Sequence, residues 1–136
     1  MIGILLCCHG TMAQGFKDAA ELIVGPQQKF EAVGIGPAQG RHDLKKALKA
    51  AMRLLGTDAG ILILTDLPGG TPCNEAAMLL GPTVQMVAGF NMPILLRVLL
   101  GRSDGITLPQ LTEDISTYGG EHIIHFTYDA VHGGAV

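Results

Sequence analysis

Two short stretches carry residue types that could do chemistry together. One is Cys7-Cys8-His9-Gly10-Thr11; the other is Thr65-Asp66-Leu67-Pro68-Gly69-Gly70-Thr71-Pro72. A neutral imidazole is a competent nucleophile toward phosphorus when one ring nitrogen is free of its proton and faces outward. A carboxylate accepting the other N–H fixes the tautomer and stabilises the positive charge that appears on phosphorylation. Asp66 could do this for His9. The amides of Gly69, Gly70 and Thr71, with those of Gly10 and Thr11, could hold phosphoryl oxygens, and the Thr71 or Thr11 hydroxyl could add a bond. Neither stretch contains Lys or Arg. A phosphoryl group held there is steadied by dipoles and not clamped by full charges, as suits a group that must leave again.

Taken singly, each signal is weak. A histidine after a strand is more often a loop or capping residue, and an Asp before a glycine turn usually serves the turn. Gly-Gly-Thr-Pro lacks the lysine of a P-loop, which argues against a nucleoside triphosphate. Cys7 and Cys8, adjacent on a strand, face opposite ways and read as core. His122 and His125, three apart on a strand, also face opposite ways, so no metal site is expected. His42, early in a helix, reads as a solvated surface residue. What raises the His9 reading is the meeting of several weak signals in one crevice, and only the fold can bring that about.

The elements follow from periodicity. Ile61–Leu64 is apolar on both faces, bounded by Gly60 and too short for a helix, as a central strand of a parallel sheet requires. Thr71 reads as the N-cap and Pro72 as the first residue of a helix through Cys73–Leu80. Ile2–Cys8 is a second such strand, followed by a helix over Met12–Val24. Phe30–Ile35, with Glu31 inside it, suits a sheet edge. Leu44, Ala47, Leu48, Ala51, Leu54 and Leu55 mark an amphipathic helix from Arg41 to Gly56. Val84–Ala88 is a fourth strand, and Asn91 caps a helix from Met92 to Leu100. Thr107 and Gln110 have capping-box spacing for a helix to Tyr118. Glu121–Tyr128 reads as a last strand and 129–136 as a loose tail.

This alternation predicts an α/β fold in three layers, with a four-stranded parallel sheet in the flavodoxin-like order 2-1-3-4. Strands one and three are then neighbours whose carboxyl ends flank the switch-point crevice. That topology sets His9 beside Asp66. The 136 residues are expected to form one domain, 1–136, with a core over 1–119 and the C-terminal strand over 120–128. Hydrophobic content of 48%, charged content of 15% and a net charge of -3 argue against nucleic acid or an anionic membrane as partner. No apolar run reaches the length of a membrane span, and Met1 leads straight into the first strand with no basic region or cleavage site, so a targeting segment is not expected. The three cysteines are odd in number and not spaced as a framework, which points to a reducing cytoplasm.

Cys-Cys-His-Gly around His9, Thr-Asp-Leu-Pro-Gly-Gly-Thr-Pro-Cys-Asn-Glu-Ala from Thr65, and Ala-Gly-Phe-Asn-Met-Pro-Ile-Leu-Leu-Arg-Val-Leu from Ala88 together resemble the IIA component of mannose-type sugar phosphotransferase systems. The similarity runs over nearly the whole chain in the same order of elements. It implies that His9 is phosphorylated by the histidine-containing phosphocarrier protein and passes the group to a IIB component, with Asp66 as the orienting carboxylate. It implies a homodimer in which the final strand crosses to the other subunit, and no cofactor. Membrane contact is implied only indirectly, through transporter subunits. Pro68 stands where the mannose transporter itself has a tryptophan.

Three alternatives stay open, the last two from other classes. A regulatory carrier without a transporter would use the same histidine. A receiver-like domain would be phosphorylated on Asp66, but it needs an acidic pair after the first strand, where this chain has Cys-Cys-His. A passive module for a phosphorylated metabolite or a flavin would bind without a covalent phosphate. For a carrier, the crevice should be ringed by exposed apolar residues for protein docking: Met12, Leu67, Pro68, Phe90, Met92 and Pro93.

Overall fold

Apolar runs become strands where helices can cover both of their faces. In the computed structural model, which describes residues 1–103 and 105–133, this happens at β1 (Gly3–His9), β2 (Phe30–Ile35), β3 (Ile61–Thr65) and β4 (Val84–Ala88). The strands pair in parallel in the order β2-β1-β3-β4, as the alternation of elements predicts. The helices are α1 (Met12–Val24), α2 (Arg41–Leu55), α3 (Thr71–Ala77), α4 (Met92–Gly101) and α5 (Leu108–Glu121).

The period of two sorts the central strands cleanly. Leu5, Cys7, Ile61 and Ile63 face α2 and α3, meeting Leu44, Leu48, Leu55 and Ala76. Ile4, Leu6, Cys8, Leu62 and Leu64 face the other way, onto Ala13 and Ala20 of α1, Leu95 and Val98 of α4, and Leu111 and Ile115 of α5. Each fully buried Leu or Ile contributes about 1.5–3 kcal/mol, so the two central strands are the most firmly held part of the chain. Cys7 and Cys8 lie in opposite layers, as their adjacency predicts. Asn91 caps α4, its Oδ1 accepting from the Ile94 N–H at 3.0 Å. The Thr107–Gln110 capping box closes in both directions, at 2.9 and 3.3 Å.

Three local expectations are corrected. Thr71 is not the N-cap of α3; Gly70 is, with extended backbone, and no side chain caps that end. The helix also stops at Ala77, because the next turn tightens: the Leu79 and Leu80 N–H groups reach only three residues back, to Ala76 and Ala77. In α5 the pair Gly119-Gly120 does not end the helix at Tyr118. Gly119 serves close packing instead, since a β-carbon there would lie 2.4 Å from Ile94 Cδ1, and its carbonyl accepts from Asn91 Nδ2 at 3.2 Å. That tertiary support carries the helix to Glu121.

The strand expected over Glu121–Tyr128 does not form within the chain. His122 closes α5, residues 123–127 have no regular structure, and Asp129–Gly133 makes one π-helical turn where a loose tail was expected. The rest of that tail, 134–136, lies outside the described residues. Ile123, Ile124, Phe126 and Tyr128 are all exposed. A strand needs an edge to pair with, and this segment pairs with none among the described residues.

At the amino ends of the strands, Arg102 follows α4 and is only 1% exposed. Its guanidinium donates to the carbonyls of Ile2 (3.0 Å), Lys29 (2.9 Å) and Gln28, and to the side chain of Gln27. These bonds bind the start of β1 and the approach to β2 to the end of α4.

Candidate functional site

β1 and β3 are neighbours, so the chain leaves their carboxyl ends side by side, His9 closing β1 and Asp66 following β3. Asp66 Oδ2 accepts from the His9 backbone N–H at 2.9 Å and lies 2.6 Å from His9 Nδ1. Its Oδ1 accepts from the Leu67 N–H at 3.0 Å. The carboxylate is therefore held at both oxygens. Its side chain is 4% exposed, against 48% for the imidazole. Burial by itself would raise the Asp66 carboxyl. The bonds from the His9 N–H, the His9 ring and the Leu67 N–H, with the ring's charge, more than offset it and hold the group below its ordinary value. An anionic Asp66 takes the proton-bearing Nδ1, which leaves Nε2 as the bare, outward nitrogen.

The glycines around the ring divide into different roles. Gly70 has ordinary backbone angles, yet a β-carbon there would stand 2.8 Å from His9 Cε1. Its bareness makes room for the imidazole. Gly69 turns with φ +81°, and Asn74 Nδ2 donates to its carbonyl at 3.1 Å. The amides of Thr11, Gly69, Gly70 and Thr71 donate to no other group among the described residues, so they are free to face an anion. Gly10 does not share that role. Its N–H is committed to the Ile35 carbonyl at 2.8 Å, because the loop after β1 folds back over β2.

Of the expected apolar rim, Met12, Leu67 and Pro68 are exposed, and Met92 and Pro93 are half-buried. Phe90 is not on the rim. Gly89, at φ +84°, turns the chain inward, the Gly89 and Phe90 N–H groups meet the Thr65 carbonyl at 2.9 and 3.4 Å, and the Phe90 ring packs on Phe16 with centroids 4.7 Å apart. Cys7 and Cys8 are buried, and burial pushes each thiol up to about 12, so both stay neutral and inert.

Sequence reading missed three contributors. Gly34 of β2 passes under the His9 loop, where a β-carbon would lie 2.2 Å from the Gly10 carbonyl oxygen; an isolated glycine within a strand was the available signal. Asn74, which holds the Gly69 turn, shows no distinctive spacing. Arg41 and Glu75, 34 residues apart, form an ion pair at 2.6 Å between α2 and α3, and nothing in the sequence connects them.

A groove of about 1040 Å³ runs between α4 and α5 along Met92, Leu96, Leu100, Ile106 and Leu111, and of the site residues it contains Met92 and Pro93 alone. A smaller one of about 160 Å³ follows β4, lined by Val87, Ala88, Gly89, Ile115 and Ile123.

Residues 3–116 match the family model described as the fructose IIA component of the phosphotransferase system. The chain is 32% identical over 114 residues to the sorbose-specific EIIA component of Lacticaseibacillus casei, covering 82% of this chain and 81% of that protein. It is 29% identical over 112 residues to the mannose-specific EIIAB component of Escherichia coli K12, covering 81% of this chain but 35% of that protein. The chain thus spans about a third of the length of that relative. The crystal structure of a phosphotransferase system EIIA component from Streptococcus agalactiae superposes with a TM-score of 0.83 at 28% identity, covering 93% of this chain and 98% of that one.

Proposed function

This chain belongs to the mannose-type IIA family of sugar phosphotransferase systems, and on that premise we propose that it relays phosphoryl groups through His9. The histidine-containing phosphocarrier protein is the donor and a IIB component the acceptor, in the cytoplasm, for sugar uptake. The observation that carries the reading is the 2.6 Å contact between His9 Nδ1 and a fixed, anionic Asp66, with the ring otherwise exposed.

The step follows from that geometry. The Nε2 lone pair attacks phosphorus on the donor's phosphohistidine. A P–N bond forms at His9 as the donor's P–N bond breaks, and the released electron pair stays on the donor's imidazole. The proton on Nδ1 remains shared with Asp66, which balances the imidazolium charge. The Thr11, Gly69, Gly70 and Thr71 amides face the phosphoryl oxygens. The reverse sequence, with IIB as nucleophile, empties the site.

Incubation with the phosphorylated carrier should label the wild type with a bond lost in acid and kept in alkali, mapped to His9, and His9→Ala should take no label. A base-labile label on Asp66 would overturn the reading in favour of a receiver. The exposed rim makes a second expectation: Leu67→Asp, at a residue 48% exposed, slows transfer from the carrier about tenfold or more with the fold intact. An unchanged rate would remove Leu67 from the docking surface.

The C-terminal segment supports a homodimer. Ile123, Ile124, Phe126 and Tyr128 are too apolar for a free tail, and β4 is an edge strand with an open groove beside it. Pairing of this segment with a partner's sheet edge would cover both. Sedimentation of a chain cut after Gly119 is expected to show monomer where the full chain shows dimer; a stable truncated dimer would contradict this.

A further inference from the structure

The carboxyl ends of the strands are poor in cations. The connecting segments 10–11, 36–40, 66–70 and 89–91 contain no Lys or Arg, and among the residues opening the next helices (Met12, Arg41, Thr71 and Met92) only Arg41 is charged. Helix electrostatics disfavours it there, since a cation at a helix N-terminus faces the positive end of the dipole. Asp43, in the same turn, is occupied with the Gly40 N–H at 3.0 Å. A residue that breaks a local rule calls for a reason elsewhere.

The reason lies across the α2–α3 contact. Arg41 Nε donates to Glu75 Oε1 at 2.6 Å, the Glu75 side chain being 10% exposed and that of Arg41 73%. The carboxylate is the buried anchor and the guanidinium the exposed end. Its terminal nitrogens donate to no group among the described residues, so the outer fork is offered to solvent.

The place is close to the nucleophile without touching it. Glu75 lies five residues after Gly70, which packs on the His9 ring, or roughly 8 Å along α3 at helical rise. From the other side, α2 opens six residues after Ile35, the partner of His9 in β2. Both routes place the Arg41–Glu75 pair at the carboxyl ends of the strands, the end of the sheet that carries His9. Around it the field opposes an incoming phosphoryl dianion: Asp66 is anionic and the chain carries a net -3.

We propose that Arg41, held by Glu75, is the cationic anchor of the docking surface, steering the phosphorylated donor protein onto the Met12–Leu67–Pro68 rim in preference to its dephosphorylated form. This rests on the carrier reading above. The surface therefore fits a protein partner that presents an apolar patch around a dianionic phosphoryl group.

The test is the rate of transfer from the phosphorylated carrier to wild type, Arg41→Gln and Arg41→Lys at low and high salt. At low salt Arg41→Gln should raise KM about three- to tenfold with kcat retained, the difference fading as salt screens it, and Arg41→Lys should stay near wild type. An Arg41→Gln KM equal to wild type at low salt overturns the proposal. So does a fall in kcat that salt does not change and Lys does not rescue, which would make the pair a brace for α3. A wild type labelled on His9 by phosphoramidate but not by the carrier overturns the donor reading, and this one with it.

Discussion

Asp66→Asn is expected to fold as the wild type does and to accept phosphate about a hundredfold more slowly, or about 2.7 kcal/mol of barrier. The amide has the shape of the carboxylate; with its oxygen on the Leu67 N–H, held at 3.0 Å in Asp66, its nitrogen takes the place of Oδ2. What changes is the group facing His9 Nδ1. An N–H there demands an acceptor, the ring proton moves to Nε2, and the outward nitrogen loses the lone pair that must attack phosphorus. The imidazolium that forms on transfer also loses its counter-charge. Single-turnover labelling beside circular dichroism checks this; full-rate labelling of a folded Asn variant would remove the orienting role from Asp66.

Gly34→Ala should damage the same site from beneath, by the opposite route. Here the chemistry is untouched and the scaffold is broken. The added methyl would stand 2.2 Å from the Gly10 carbonyl oxygen and 3.6 Å from that of Cys8, and a backbone atom cannot swing aside as a side chain end can. The loop cannot lift freely either, since the Gly10 N–H is bound to Ile35 and the His9 N–H to Asp66. Overpacking of this kind costs on the order of 3 kcal/mol, and the displaced His9 should lose transfer activity as well. Urea unfolding of the variant measures the first effect and labelling the second. A stability within about 0.5 kcal/mol of wild type would mean that the loop after β1 is looser than it stands here.

The contrast between these two positions explains what could be read from the chain alone. His9 and Asp66 were legible because each ends an apolar run, and parallel topology carries the ends of strands one and three together. The sheet order was legible because strand and helix alternate, with periods of two and between three and four. Gly34 was not, since its reason is a loop contributed by another strand. Phe90 misled for the same kind of reason: a position just after a strand reads as rim, and only the turn at Gly89 shows that the ring goes inward to Phe16. Arg41 and Glu75 needed two helices to be placed side by side. The helix expected to reach only Tyr118 runs on to Glu121, with Ile94 packed against Gly119. Local chemistry is written locally, whereas exceptions to it are written by neighbours distant in sequence.

Arg102 sets an order on how the molecule comes into being. Its acceptors on Ile2, Gln27, Gln28 and Lys29 lie 73 to 100 residues upstream, so the first two strands emerge from synthesis long before the group that fastens their entry. Until residue 102 has left the ribosome, the Ile2 and Gln28 carbonyls lack the guanidinium, although the Lys29 carbonyl can already hold the Ile4 N–H at 2.9 Å and the Gly60 carbonyl the Gly3 N–H at 2.9 Å. The nucleophile's own pairing waits only for Asp66. A nascent chain can therefore pair His9 with Asp66 before α4 delivers the guanidinium that fastens the opposite end.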